Sequence, residues 1–179
     1  MTQFKAFELG VEVNGAAVLS VVEGMGTYEK MALRILSNHG IDNPKKEEWY
    51  LQQAWLDAFK DIADHVGPAT LKIIGEKIPD TAIWPPVVKN VAEALASIDV
   101  AYHMNHRGGE IGHYHFEKSG MKSGRMICDN PYPCEFDFGI IRATTIKFAP
   151  PDATPSVRHD GSRPCRRKGA NSCTYIVFW

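Results

Sequence analysis

Four cysteines carry the most specific chemistry in the chain: Cys128 and Cys134 flank the turn DNPYP, and Cys165 and Cys173 enclose the basic stretch RRKGANS. Thiolates delivered by two separated turns are what a tetrahedral zinc site requires, and a site with four protein ligands keeps no position for water, so zinc there would be structural. Buried thiols and disulfides are the competing readings. In a chain of this size with no signal-peptide pattern at Met1, a disulfide frame is the weaker of them. A second cluster lies in AYHMNHRGGEIGHYHFE, where four of the seven histidines, His103, His106, His113 and His115, stand beside Glu110 and Glu117. On a strand, His113, His115 and Glu117 share one face, a geometry for two imidazoles and a carboxylate on a metal. The same row also reads as a wall of a ligand pocket, or as the polar side of a half-exposed strand.

The elements that must position these groups follow from local patterns. Around the cysteines the order reads as a strand from Ser123 to Cys128, a turn, a helix from about Glu135 to Phe148, a proline-rich loop, a short strand near Val157, a basic knuckle and a last strand from Cys173 to Trp179. Upstream, Phe4 to Val13 suggests a short strand or an extended arm. Two short helices follow, over Ala16 to Val22 and Tyr28 to Leu36, the second capped by Asn38-His39-Gly40. Leu51, Trp55, Ala58, Phe59, Ile62 and Val66 recur at helical steps and predict a long helix from about Lys46 to His65. Gly67-Pro68 ends it and starts another over Ala69 to Lys77, which Ile78-Pro79-Asp80 should stop. Trp84-Pro85-Pro86 is a stiff connection into a helix from Val87 to about Tyr102. Gly108-Gly109 should then open a strand from Glu110 to Phe116.

A cysteine followed five residues later by a glycine within a helix (Cys134, Gly139), then a Cys-x7-Cys knuckle (Cys165, Cys173) leading into a terminal strand, resembles the 4-vinyl reductase-like domain. That module is the small-molecule-binding part of phenol- and toluene-responsive activators and of hydrocarbon-binding proteins, and the match covers roughly the last third of the chain. The resemblance implies zinc held by Cys134, Cys165 and Cys173 with an acidic fourth ligand. The corresponding stretch here, SVRHDGSRPC, offers His159 or Asp160. His159 is preferred because imidazole is the commoner zinc ligand, with Cys128 as the competitor. Length and element order also look like the haem-nitric-oxide/oxygen-binding proteins, whose fold belongs to the same superfamily. Their Tyr-x-Ser-x-Arg propionate motif is absent, which leaves a haem-based gas sensor as an alternative reading.

The remaining composition describes a globular chain of 179 residues, 44% hydrophobic, with a net charge of −1. Near-neutral balance argues against nucleic-acid binding, and no apolar run is long enough to span a bilayer, so a cytoplasmic protein is expected. The fold expected is α/β (α+β): N-terminal helices packed on a small antiparallel sheet with a C-terminal zinc knuckle, residues 1–107 forming a helical part of one domain and 108–179 the β/α/β part. Trp84, Tyr102, His103, His106, Phe136 and Phe138 are the expected walls of an apolar pocket. The function that follows is a zinc-stabilised binding or sensor domain for a small apolar or aromatic molecule, acting as a homodimer by analogy with the sensors. From another class comes a metal-dependent enzyme using His113, His115 and Glu117, with His103 or His106 as acid or base. No Gly-rich phosphate loop and no Gly-x-Ser-x-Gly elbow occurs.

Overall fold

Helix α4 (Gln52–His65) turns Trp55, Leu56, Phe59 and Ile62 into the core, and Lys60 and Asp64 pair on the side away from it. It begins at Gln52 rather than near Lys46 because the preceding residues are claimed by a sheet. Strand β2 (Trp49–Leu51) pairs antiparallel with β1 (Glu12–Asn14), which also pairs with β3 (His106–Arg107). A computed structural model of the chain describes residues 3–86 and 88–179. The expected helix start at Val87 lies outside the described residues.

Between β1 and β2 run α1 (Gly15–Val18), α2 (Ser20–Met25) and α3 (Glu29–Asn38). The last is closed by a left-handed Gly40, φ 81°, with the Gly40 and Ile41 amides returning to Ser37 and Leu36 carbonyls. Helix α5 (Pro68–Thr81) carries Pro68 in its first turn, where a missing N–H costs nothing. It does not stop at Ile78-Pro79. Proline there removes one intrahelical bond, while both residues are buried and the Pro79 carbonyl accepts from Lys147 Nζ at 2.7 Å. Helix α6 (Val91–Met104) is capped by Asn90, whose side chain accepts from the Glu93 amide at 3.0 Å while the Glu93 carboxylate accepts from Asn90 Nδ2 at 2.8 Å.

A four-stranded antiparallel sheet closes the chain in the order β4 (His113–Gly120), β5 (Ser123–Asp129), β7 (Cys173–Phe178), β6 (Ser156–His159). Strand β4 starts at His113, not at Glu110, because Gly112 adopts φ 80° where a Cβ would stand 2.0 Å from the Asp129 carbonyl oxygen. Helix α7 (Cys134–Phe148) lies against α5 in backbone contact: a Cβ on Gly75 would meet the Phe136 carbonyl at 2.2 Å, and one on Gly139 the Lys72 carbonyl at 2.2 Å. The architecture is therefore mixed α/β, helices on antiparallel sheet, with one hydrophobic core extending from Val11 to Val177. No described helix is long and apolar enough to cross a membrane.

Candidate functional site

Two places gather functional side chains, and α7 supplies both. The first is a cavity of about 40 Å³ between α4, α5, α6 and α7, lined by Trp55, Trp84, Tyr102, Tyr114, Tyr132 and Phe136 among aliphatic groups. Trp55, Phe59, Tyr132 and Phe136 form one aromatic cluster, with centroid separations from 4.7 to 6.1 Å. Every tyrosine hydroxyl around the cavity has a partner. Tyr102 donates to the Ile111 carbonyl at 2.6 Å, Tyr114 donates to Asp137 at 2.6 Å, and the Tyr132 hydroxyl lies 2.6 Å from His106 Nε2 and accepts from Gln52 Nε2 at 3.1 Å. Burial pushes all three phenols above their ordinary range. His106 is buried as well. Its Nδ1 lies 2.8 Å from the Tyr102 carbonyl, and desolvation lowers its pKa to about 4. Two donors remain: the indole N–H groups of Trp55 and Trp84 are buried without a hydrogen-bond partner, and both rings line the cavity.

Of the residues expected in a pocket wall, Trp84, Tyr102 and Phe136 line this cavity, and His106 stands behind it through Tyr132. His103 is part-exposed on α6, and Phe138 packs near Tyr175, 6.2 Å between centroids, beneath Lys72 Nζ. Asn105 and Gln52 were not foreseen from sequence. Asn105 clasps the segment after α5, donating to the Ile83 carbonyl at 2.9 Å and accepting from its amide at 3.1 Å.

The second place is the cysteine end. Ligand atoms of Cys134, His159, Cys165 and Cys173 lie within 4.8 Å of one another. The Cys134 and Cys173 sulfurs are 3.0 Å apart, and Cys165 is 3.6 Å from each. The first residue of α7, the last of β6, the first of β7 and the residue before a 3-10 turn at Arg166–Lys168 supply them. Cys173 is held well down by the hydrogen bond from Cys134, and further by Arg166 and His159 against the opposing effect of burial, while Cys134 is pushed up. His159 Nε2 is buried without a partner. The other two candidate ligands fall outside this group. Cys128 is buried opposite Cys173 in the β5/β7 register, and the Asp160 carboxylate accepts from Ser162 Oγ at 2.6 Å. This group could hold a metal ion, the donor set being that of a soft-ligand tetrahedral site.

Arg166 and Asp137 connect the two places. Arg166 donates to the Asp137 carboxylate and the Asn130 carbonyl, and reaches Cys173 Sγ through its backbone N–H at 3.3 Å and Nε at 3.5 Å. Both charged side chains are almost fully buried. Burial raises the Asp137 carboxyl to about 6, against the Arg166 charge and the Tyr114 hydrogen bond. Arg166 belongs to the basic stretch that the sequence places beside the thiolates, whereas Asp137 was not singled out from sequence. The one signal was a charged residue, Asp137, one turn into a helix whose neighbours Phe136 and Ile140 face inward.

In the histidine-rich stretch, His113, His115 and Glu117 do share the exposed face of β4. Among the described residues the group with metal-ligand spacing there is Asp99, His103 and His113, and Glu117 is outside it.

No family model and no curated protein sequence matches the chain. Solved structures do. An H-NOX protein from S. oneidensis in an Fe(II)NO ligation state superposes with a TM-score of 0.65 at 13% identity, covering 92% of this chain and 97% of that one. A protein in which haem redox potential is modulated through protein-induced porphyrin distortion gives 0.64 at 10% identity over 93% and 94%. An oxygen-binding H-NOX domain related to soluble guanylate cyclases gives 0.63 at 11% identity over 92% and 94%. The chain thus shares its fold with H-NOX structures, and nothing in these neighbours singles out a 4-vinyl reductase-like domain. They correct the expectation of structural zinc as the cofactor, because they are structures of ferrous and haem-containing proteins, while the cysteine group is one that could hold a metal ion.

The residues present do not fit haem. The cavity has room for a few water-sized groups, against the 300 Å³ or more of roughly ligand-sized pockets. Among the described residues no histidine lines it, and its tyrosine hydroxyls are all engaged. The fold is shared with H-NOX structures, and the space between α4, α5, α6 and α7 is here narrowed to a small cavity by the chain's own aromatic side chains.

Proposed function

We propose that the chain is a small-molecule sensor module whose ligand enters the aromatic cavity between α4, α5, α6 and α7. The observation that supports this reading is that Trp55 and Trp84, two of the rings lining an otherwise apolar space, each carry a buried indole N–H without a hydrogen-bond partner. A buried donor left unsatisfied costs about 1–3 kcal/mol, which a ligand acceptor atom would recover on binding. The ligand is therefore a compact apolar molecule with a hydrogen-bond acceptor, such as a phenol. The closed cavity is too small for an aromatic ring, so entry displaces Trp84. That residue sits on an irregular segment pinned by Asn105 rather than on a helix.

The cysteine group is read as a site for a thiophilic metal ion held by Cys134, His159, Cys165 and Cys173. The path Cys173, Arg166, Asp137, Tyr114 would make the cavity sensitive to what that site holds.

Titration of the full chain with phenol and with benzene, followed by tryptophan fluorescence and thermal shift, tests the reading. Saturable phenol binding, stronger than benzene and weakened about tenfold in Trp84→Phe, is expected from loss of one hydrogen bond worth ~1.4 kcal/mol. Absence of saturable binding by either probe, or equal affinity for the two, would overturn it.

A further inference from the structure

Asp99 and His103 stand one turn apart on α6, and the first residue of β4, His113, packs against them. The Asp99 carboxylate is fixed by the strand, with Oδ1 accepting from the Tyr114 amide at 2.8 Å. His113 Nδ1 lies 3.3 Å from the same oxygen. His103 Nδ1 is 2.8 Å from the Asp99 backbone carbonyl. A carbonyl only accepts, so that nitrogen carries the proton and the lone pair of the neutral ring is on Nε2. The two imidazoles are 5.1 Å apart between centroids, and one ligand atom from each of the three residues falls within 4.8 Å of the others. Exposure of the side chains, 30% for Asp99, 43% for His103 and 46% for His113, gives ions from solvent direct access. His115 stacks on His113 at 5.3 Å and closes the row.

We propose that Asp99, His103 and His113 form a binding site for a divalent first-row transition-metal cation, separate from the cysteine group and the cavity. Two imidazoles and one carboxylate are a borderline donor set, suited to cobalt, nickel, copper or zinc and unsuited to calcium or magnesium, which seek oxygen cages. Three protein ligands on one side leave coordination positions open to water. Both first helical ligands come from one rigid turn, and the third is set by a β-strand whose own amide orients the carboxylate, so the site is preorganised without being buried.

Nickel titration of the full chain by equilibrium dialysis, together with copper electron paramagnetic resonance, tests this. The variants are His113→Ala, His103→Ala and, as a control, His65→Ala. His65 also pairs with a carboxylate one turn away, Asp61 at 2.6 Å, which His39 approaches at 3.3 Å on its other oxygen, but among the described residues these three do not share metal-ligand spacing. The expected result is nickel binding weakened in both His113→Ala and His103→Ala by at least the roughly 10- to 100-fold that loss of even an outer partner causes. His65→Ala should be unchanged, and the copper spectrum should show couplings from two imidazole nitrogens. Retention in His113→Ala of as many nickel equivalents as the native chain binds, or a copper resonance with no imidazole nitrogen coupling, would overturn the proposal. All three positions are on the surface, so unchanged thermal unfolding keeps the comparison valid.

Discussion

The cavity and the cysteine end are built on the same helix by opposite means. Around Phe136 and Ile140 the space is filled by rings and aliphatics whose few polar atoms, two indole N–H groups apart, are tied off locally. Around Cys134 and Asp137 the interior is held by charge, with an arginine and a carboxylate buried among sulfurs. The difference teaches where each region tolerates change. Packing of rings degrades gradually, whereas a buried ion pair fails when one partner is lost.

Arg166→Met should therefore be the most damaging change, leaving Asp137 buried and unpaired at a cost of about 3–5 kcal/mol. Chemical denaturation at two pH values checks it. The loss should shrink below the Asp137 pKa, where the carboxyl is neutral; an equal loss at both would mean that Arg166 contributes packing rather than charge.

On the cavity side, His106 titrates inside its hydrogen-bond frame. Its folded pKa of about 4 lies below the ordinary 6.5. The unfolded chain thus takes the proton first, and the group's stabilisation is complete above pH ~6.5 and is lost as pH falls toward 4, about 3 kcal/mol in all. Asp137 runs the other way in that window, since its raised carboxyl adds stability at low pH that is lost as pH rises through about 6. The measurement is accordingly the pH dependence of unfolding in the native chain minus that in His106→Gln; identical profiles would remove the assignment.

Gly139→Ala probes the helix that both regions share. Its methyl would meet the Lys72 carbonyl, so a loss of about 2–3 kcal/mol is expected in thermal unfolding, against the slight gain alanine gives an unobstructed helix. Trp55→Phe is the mildest: lost packing is offset by removing an orphaned donor, and the net change should fall within about 1.5 kcal/mol.

Much of the cysteine end was legible because its information is local. Cys134 opens a helix, Cys165 and Cys173 bracket a knuckle, and His159 lies a few residues before it, so spacing and resemblance together nominated four residues that the fold brings to one place. The cavity was legible only in part. Trp84, Tyr102 and Phe136 could be picked as large rings at element ends, but Tyr132, Gln52 and Asn105 reach it through pairings that no local pattern encodes. Helix α5 continued past Pro79 because tertiary burial outweighed a local stop signal. The histidine row was read along one strand, whereas its closest carboxylate, Asp99, comes from the preceding helix and depends on how α6 meets β4.

The glycine contact between α5 and α7 bears on how any signal could travel. Helices separated by side-chain ridges can slip past one another in small steps. With Gly75 and Gly139 bringing main chain onto main chain, that sliding mode is closed to this pair. Helices α5 and α7 must turn as a single block, so a displacement at Phe136 is delivered undiminished to the first sulfur, on Cys134, two residues away.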